Sequence, residues 1–304
     1  MATHESIKVP DLSGRLHVVT GANSGLGLAM AQFLAAHGGS VVLACRSAAN
    51  AEKTRQDILR VAPGAELHAM TLDVASLQSV RTFAESMQRR FTTLDVLINN
   101  AGIMATPRAL SADGFELQFA TNHLGHFALT GLLLPMMRNR RGSRVVAVSS
   151  IAARSGRIDF DDPMGERRYD EWQAYNQSKL ANLMFALELQ RRLQRAGAET
   201  WAVAAHPGAS TTNLFSTPGG FVAKRVISPL VSRLLFQPAE RGALPILLAA
   251  VGRDAEPGAY YGPKGFQEMK GEPGPAVIPP QAQDAQAAAR LWRLSEQLTG
   301  VAYP

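Results

Sequence analysis

The sequence predicts an α/β protein: one open, doubly wound parallel sheet of about seven strands, with helices on both faces. Three observations carry this. Short β-branched runs alternate along the chain with longer stretches of helical periodicity. Several of those runs, such as VVLAC and the VVAV of RVVAV, are apolar at every position, as strands buried on both faces are. A glycine-rich turn stands between the first strand and the first helix, where open α/β sheets bind ligands.

The first strand, predicted over Leu16–Thr20, runs into TGANSGLG and then a helix over Leu26–His37. Gly21, Gly25 and Gly27 bracket the turn in a GxxxGxG spacing. Glycine lets a ligand approach the backbone, and the helix N-terminus offers unpaired N–H groups to a phosphate. The second strand, Val41–Cys45, ends in Cys45-Arg46-Ser47. In dinucleotide folds this point lies near the adenosine ribose, where an arginine can pair with a 2′-phosphate. A solvated arginine at a strand end is the alternative. Cys45, the single cysteine, reads as a small buried residue.

A helix over Ala49–Val61 and a third strand over Glu66–Thr71 lead to Leu72-Asp73-Val74. Asp73 either caps the helix predicted over Ser76–Arg90 or accepts from an adenine amine. The fourth strand, Leu94–Asn99, ends in an Asn99-Asn100-Ala101-Gly102 turn at the carboxyl edge of the sheet. A long helix over Asp113–Arg138 follows. Asn122 and Gly125 are poor choices for its interior and hint at a distortion with a purpose. His123 and His126 are three apart without a carboxylate partner, so no metal site is expected. The run from Arg138 to Arg141 reads as the solvated last turn of that helix.

The fifth strand, Arg144–Ser149, places Ser149 and Ser150 at the same edge. The helix predicted over Trp172–Ala196 carries YNQSK, with Tyr175 and Lys179 four apart and so on one face. The sixth strand, Thr200–Ala205, precedes His206-Pro207-Gly208, and a weaker strand signal lies near Ala259–Tyr261. A last helix is predicted over Gln283–Leu298. One domain spans residues 1–304, with an apolar substrate-loop segment at 209–237 and a C-terminal extension at 262–304.

Composition narrows the classes. With 46% apolar and 18% charged residues the chain is globular rather than disordered. The net charge of +6 is spread along the chain, which fits an anionic ligand but not nucleic acid. The N-terminal stretch MATHESIKVPDLSGR lacks the apolar region of a signal peptide. No run reaches the roughly 18 apolar residues of a membrane span. A cytoplasmic location is expected.

Taken together, TGANSGLG, Asp73, NNAG at 99–102, Asn122, VSS at 148–150, YNQSK and HPG at 206–208 resemble the short-chain dehydrogenase/reductase superfamily. They stand in the family's order over about residues 12–262. LACRS, TNHLGHF and YNQSKLAN look most like the branch of retinol dehydrogenases, WW-domain oxidoreductase and protochlorophyllide reductase. The resemblance implies a Rossmann-like sheet and a hydride exchange between a nicotinamide cofactor and a carbonyl or alcohol substrate. It implies Tyr175 as acid/base, Lys179 as the cation that lowers its pKa, Ser150 (Ser149 as fallback) at the substrate oxygen, and Asn122 in a proton relay. It places Gly21, Asn23, Ser24, Gly25, Leu26 and Gly27 at the pyrophosphate, and Asp73 and Val74 at the adenine. Asn99, Ala101, Gly102, Pro207 and Gly208 would complete the cofactor contacts with Tyr175 and Lys179. Arg46 favours NADP(H) over NAD(H). The apolar segment at 209–237 favours a lipophilic aldehyde or ketone. A cofactor-binding regulator without turnover is the alternative function. Homo-oligomers are usual in the family, and monomers occur in this branch, so both stay open.

Overall fold

The computed structural model describes residues 7–138, 140–209 and 237–303. Eight strands form one sheet: β1 Leu16–Thr20, β2 Ser40–Cys45, β3 Leu67–Thr71, β4 Val96–Asn99, β5 Arg144–Val148, β6 Trp201–Ala205, β7 Tyr260–Pro263 and β8 Pro273–Pro275. Their order is β3-β2-β1-β4-β5-β6-β7-β8. Every pairing is parallel except β7 with β8. The strand beyond the expected seven comes from the Pro/Gly-rich stretch, at the sheet edge, where proline is tolerated. Strand order reverses between β1 and β4, and there the crevice of an open α/β sheet lies.

The all-apolar strands feed two cores by strict alternation. Val18, Val42, Leu97, Val145 and Ala202 face one side. Val19, Val41, Ile98, Val146 and Val203 face the other. The first side is covered by α3 (Leu77–Arg90), α5 (Gly125–Leu133) and α6 (Glu171–Arg195), through residues such as Phe83, Leu129 and Leu183. The second is covered by α1 (Gly25–Ala36) and α7 (Ala239–Val251), through Met30, Leu34, Ile246 and Leu247. Full burial of each such side chain contributes roughly 1.5–3 kcal/mol. Further helices are α2 (Ala48–Val61), the short α4 (Leu117–Phe119) and α8 (Ala285–Thr299), with a four-residue helix at Pro280–Gln283 ahead of α8. Trp292 of α8 packs on Phe127, Phe185 and Tyr303, which seals α5 and α6 from outside.

The helix predicted over Asp113–Arg138 is broken. α4 passes into a π-turn at Ala120–Leu124, then α5, then a 3-10 turn at Leu134–Met136. Arg138, Arg140 and Arg141 therefore do not form the last turn of a helix. Arg140 Nε instead reaches the buried carboxylate of Asp95 at 2.6 Å. Asp95 also accepts from the Leu16 N–H at 2.9 Å, which pins the start of β1. Most of the 209–237 segment, residues 210–236, lies outside the described residues. Among the described residues, no helix is long and apolar enough to cross a membrane.

Candidate active site

A cleft of about 470 Å³ opens at the carboxyl ends of the strands. Its first wall is the turn from β1 into α1, with Gly21, Asn23, Ser24, Gly25, Leu26 and Gly27. A Cβ on Gly27 would stand 2.1 Å from the Gly21 carbonyl oxygen, so only glycine closes this turn. The N-terminus of α1, from Ser24 to Gly27, lines the same space, an arrangement suited to phosphate. Thr20 secures the turn from behind: its hydroxyl accepts from the N–H groups of Asn100 and Ala101 at 2.8 and 2.9 Å.

Arg46, Ser47 and Asn50 line the next stretch, and Arg46 is exposed. Cys45 is buried behind them, and burial pushes its thiol up to about 11, so it is inert. Asp73 and Val74 line the cleft after β3. Asp73 does not cap α3; Ser76 does, by accepting from the Ser79 N–H. The Asp73 carboxylate accepts from Ala75 N–H at 3.0 Å and so shapes its own loop.

The π-turn explains Asn122 and Gly125. A Cβ on Gly125 would lie 1.9 Å from the Val74 carbonyl oxygen, so glycine lets the helix press against the Asp73–Val74 loop. Asn122, fully buried behind the cleft, donates to Ile103 O and Ser178 Oγ and accepts from Ile103 N–H, each at 2.9 Å. His126 spans the same region, between Asn122 O at 3.0 Å and Thr20 Oγ1 at 2.9 Å. His123 meets Ser295 Oγ of α8 at 2.8 Å.

Ser150, Tyr175 and Lys179 form the second wall. α6 begins at an Asp170 cap that accepts from Gln173 N–H at 2.8 Å. Gln177 ties this helix to the loop before it, accepting from Asp159 N–H and donating to Pro163 O. The Ser150 side chain lines the cleft beside the Tyr175 phenol and favours its ionised form. Ser149 is spent elsewhere, its hydroxyl donating to Lys179 O at 2.7 Å, which separates the two serines. Lys179 Nζ donates to Val148 O at 3.2 Å and sits 5.8 Å from the centre of the Tyr175 ring.

The expectation that Lys179 pulls the phenol pKa down is not met. Burial pushes Tyr175 up to about 12, opposed only by the polar Ser150 side chain. Burial likewise pushes Lys179 down to about 8. Neither shift draws on the other group: Nζ donates to Val148 O and lies over the Tyr175 ring, so desolvation decides both.

The cleft gathers Ala101, Gly102, Pro207 and Gly208 as well. Asn99 is the exception among the expected cofactor contacts. Its amide donates to Thr130 Oγ1 at 2.8 Å, inside the core. Alternation along β4 turns Asn99 to the side of Leu97, and Asn100 lines the cleft in its place. Thr20, Asn50 and Asn100 were missed as lining residues. Asn100, inside the Asn99–Gly102 turn, and the polar Asn50, four residues after Arg46, were the local signals. A larger cavity, about 750 Å³, lies beside Gln173 and Gln177 and holds none of Ser150, Tyr175 and Lys179.

A doubly wound sheet with a glycine turn facing a buried tyrosine and lysine and a half-buried serine defines an α/β protein with a nucleotide-sized cleft. A family model described as short chain dehydrogenase matches residues 15–218, and the chain belongs to that family. It is 40% identical to human retinol dehydrogenase 13 over 297 residues, covering 96% of this chain and 87% of the relative. It is 41% identical to the bovine dehydrogenase/reductase SDR family member 13, covering 95% and 74%. Among solved structures it resembles an uncharacterised protein of Mycobacterium paratuberculosis, with TM-score 0.79, 42% identity and coverage of 98% and 97%.

Proposed function

We propose that the protein is an NADP(H)-dependent oxidoreductase that interconverts a lipophilic aldehyde or ketone and its alcohol. The joint placement of Ser150, Tyr175 and Lys179 opposite the glycine turn carries this reading. The residues fit a dinucleotide. Gly27 admits a close backbone approach, the α1 N-terminus suits the pyrophosphate, and Arg46 suits a 2′-phosphate. Bound there, the cofactor supplies or accepts the hydride.

The chain's own residues handle the oxygen. With its pKa near 12 the Tyr175 phenol holds its proton at neutral pH. In reduction it gives that proton to the substrate oxygen as negative charge develops there. Ser150 donates a hydrogen bond to the same oxygen. Lys179 stands beside the phenol and, near its titration point at pH 8, carries part of a positive charge. Asn122 fixes Ile103 against Ser178 and so holds the floor of the substrate end. Ile103 and Met104 line that end with apolar surface. The names of the relatives put retinal in the substrate panel.

The test is NADPH oxidation with a panel of lipophilic aldehydes and ketones, retinal included, beside Tyr175→Phe. The variant is expected to lose about 10³-fold in kcat, within the range for a general acid, with NADPH binding intact. Substantial turnover in Tyr175→Phe would remove the phenol from the mechanism.

A further inference from the structure

Gln267 and Glu268 are consecutive non-glycine residues with positive φ, 48° and 58°. Side chains rarely adopt this conformation, and it persists only where the surroundings over-determine it. The surroundings here converge on the Glu268 carboxylate. Oε2 accepts from His206 Nε2 at 2.8 Å and lies 2.7 Å from Arg154 Nη2. Oε1 accepts from Val277 N–H at 2.9 Å. Arg154 Nη1 also donates to Gln267 O at 3.2 Å. Gly208 N–H donates to His206 Nδ1 at 3.2 Å, which fixes the tautomer: Nδ1 accepts, so Nε2 carries the proton given to Glu268. Burial pushes the Glu268 carboxyl up, but His206, the Val277 N–H and Arg154 outweigh it and hold it below its ordinary value.

The same turn touches the cleft rim through its backbone. Met269 O accepts from Ala209 N–H at 2.7 Å, and a Cβ on Gly208 would lie 2.4 Å from that oxygen. Pro207 and Gly208 line the cleft. On the other side, Arg154 belongs to the 3-10 turn Ile151–Ser155, which Ser150 caps. Tyr260 closes the circuit, with its ring 5.2 Å from that of His206 and its hydroxyl donating to Ser150 O at 3.4 Å. Two rims of the cleft therefore meet at one side chain.

We infer that Glu268 is a positioning residue for the Tyr175 end of the cleft, holding the Pro207-Gly208 turn through His206 and the Ser150 loop through Arg154. This rests on the cofactor reading given under Proposed function. The strand order separates the two ends: His206 and Glu268 adjoin β6 and β7, whereas Arg46 and Asp73 follow β2 and β3 at the other half of the sheet. Loss of Glu268 should disturb the nicotinamide half of a bound cofactor and spare the adenine half.

The experiment is titration of wild type, Glu268→Ala and Glu268→Gln with NADPH and with adenosine 2′,5′-bisphosphate, a probe of the adenine half. Glu268→Ala is expected to weaken NADPH about tenfold, as loss of hydrogen bonds to a charged group does, and to leave the bisphosphate unchanged. Glu268→Gln, which keeps an acceptor oxygen, recovers most of the loss. No change with either probe, or equal weakening of both, would overturn the inference. Failure of wild type to bind NADPH would overturn the cofactor reading, and this inference with it. Should Glu268→Ala not fold, Arg154→Ala cuts one tie alone. It should lower kcat with NADPH affinity unchanged, and an unchanged kcat would overturn the Ser150 half of the inference.

Discussion

The two walls of the cleft meet a ligand with different parts of their residues. The β1–α1 wall presents backbone: a turn so tight that Gly27 has no room for a methyl group. The α6 wall presents side chains, Tyr175 and Lys179, both taken out of water on a 25-residue helix. Change on the first wall should act through shape and on the second through charge and proton affinity. The largest test of this contrast pairs Tyr175→Phe with Gly27→Ala. The first should remove turnover and spare binding, as stated above. The second should do the reverse of sparing: the new Cβ forces the turn open, weakening NADPH by about a hundredfold and costing about 1–3 kcal/mol of stability by overpacking. NADPH titration and thermal melting of both variants read this. Tight NADPH binding by Gly27→Ala would break the backbone half of the comparison.

The charge half is sharpened by pH. Lys179 titrates near 8 when folded, against an ordinary 10.5, so its folded value is depressed. Below pH 8 the folded state carries a buried charge. Between pH 8 and 10.5 the unfolded chain keeps a proton that the folded chain has released, so stability rises with pH. By pH 9.5 wild type should gain about 2 kcal/mol relative to Lys179→Met. Tyr175 acts in the other sense: its value is raised, so its stabilisation is complete below pH 10 and fades towards 12. Urea unfolding of both proteins from pH 7.5 to 9.5 stays clear of that fall. A difference that does not change with pH would mean that Lys179 is not desolvated as the fold implies.

Next to the first wall, Arg46 adds an exposed charge to the cleft. Arg46→Ala should weaken NADPH about tenfold, the worth of one charge-assisted hydrogen bond, and leave NADH unaffected. Equal weakening of both would place the arginine away from a 2′-phosphate.

The same contrast explains what was legible in the sequence. Turns and buried strands are local demands on backbone, so TGANSGLG and VVLAC announce themselves. Register parity is not local in the same way. Asn99 and Asn100 are adjacent and identical in type, and only the true end of β4 decides which one faces the core. The break at 120–124 was visible as Asn122 and Gly125, but its cause, the Val74 carbonyl, lies about fifty residues away. Glu268 was invisible, since its side-chain partners lie 62 residues off at His206 and further still at Arg154. β8 hid because PGP has no strand propensity and holds its place only as an edge.

The smallest effect expected lies at the mouth of the second wall. Trp172 stands in the first turn of α6, three residues before Tyr175 and so on its face. Its ring lies edge-on to that of Tyr175, with centroids 6.3 Å apart, yet 52% of the residue is exposed. An apolar ring left in water beside the Tyr175 phenol has surface to offer a substrate too long for the cleft floor. Trp172→Ala should therefore raise KM for a bulky aldehyde about fivefold, the loss of one aromatic contact near 1 kcal/mol. A short aldehyde, which cannot reach the rim, should show no change, and neither should NADPH affinity or the melting temperature. A KM that rises equally for long and short substrates would make Trp172 a support for Tyr175 rather than a contact, and would move it from the rim into the wall itself.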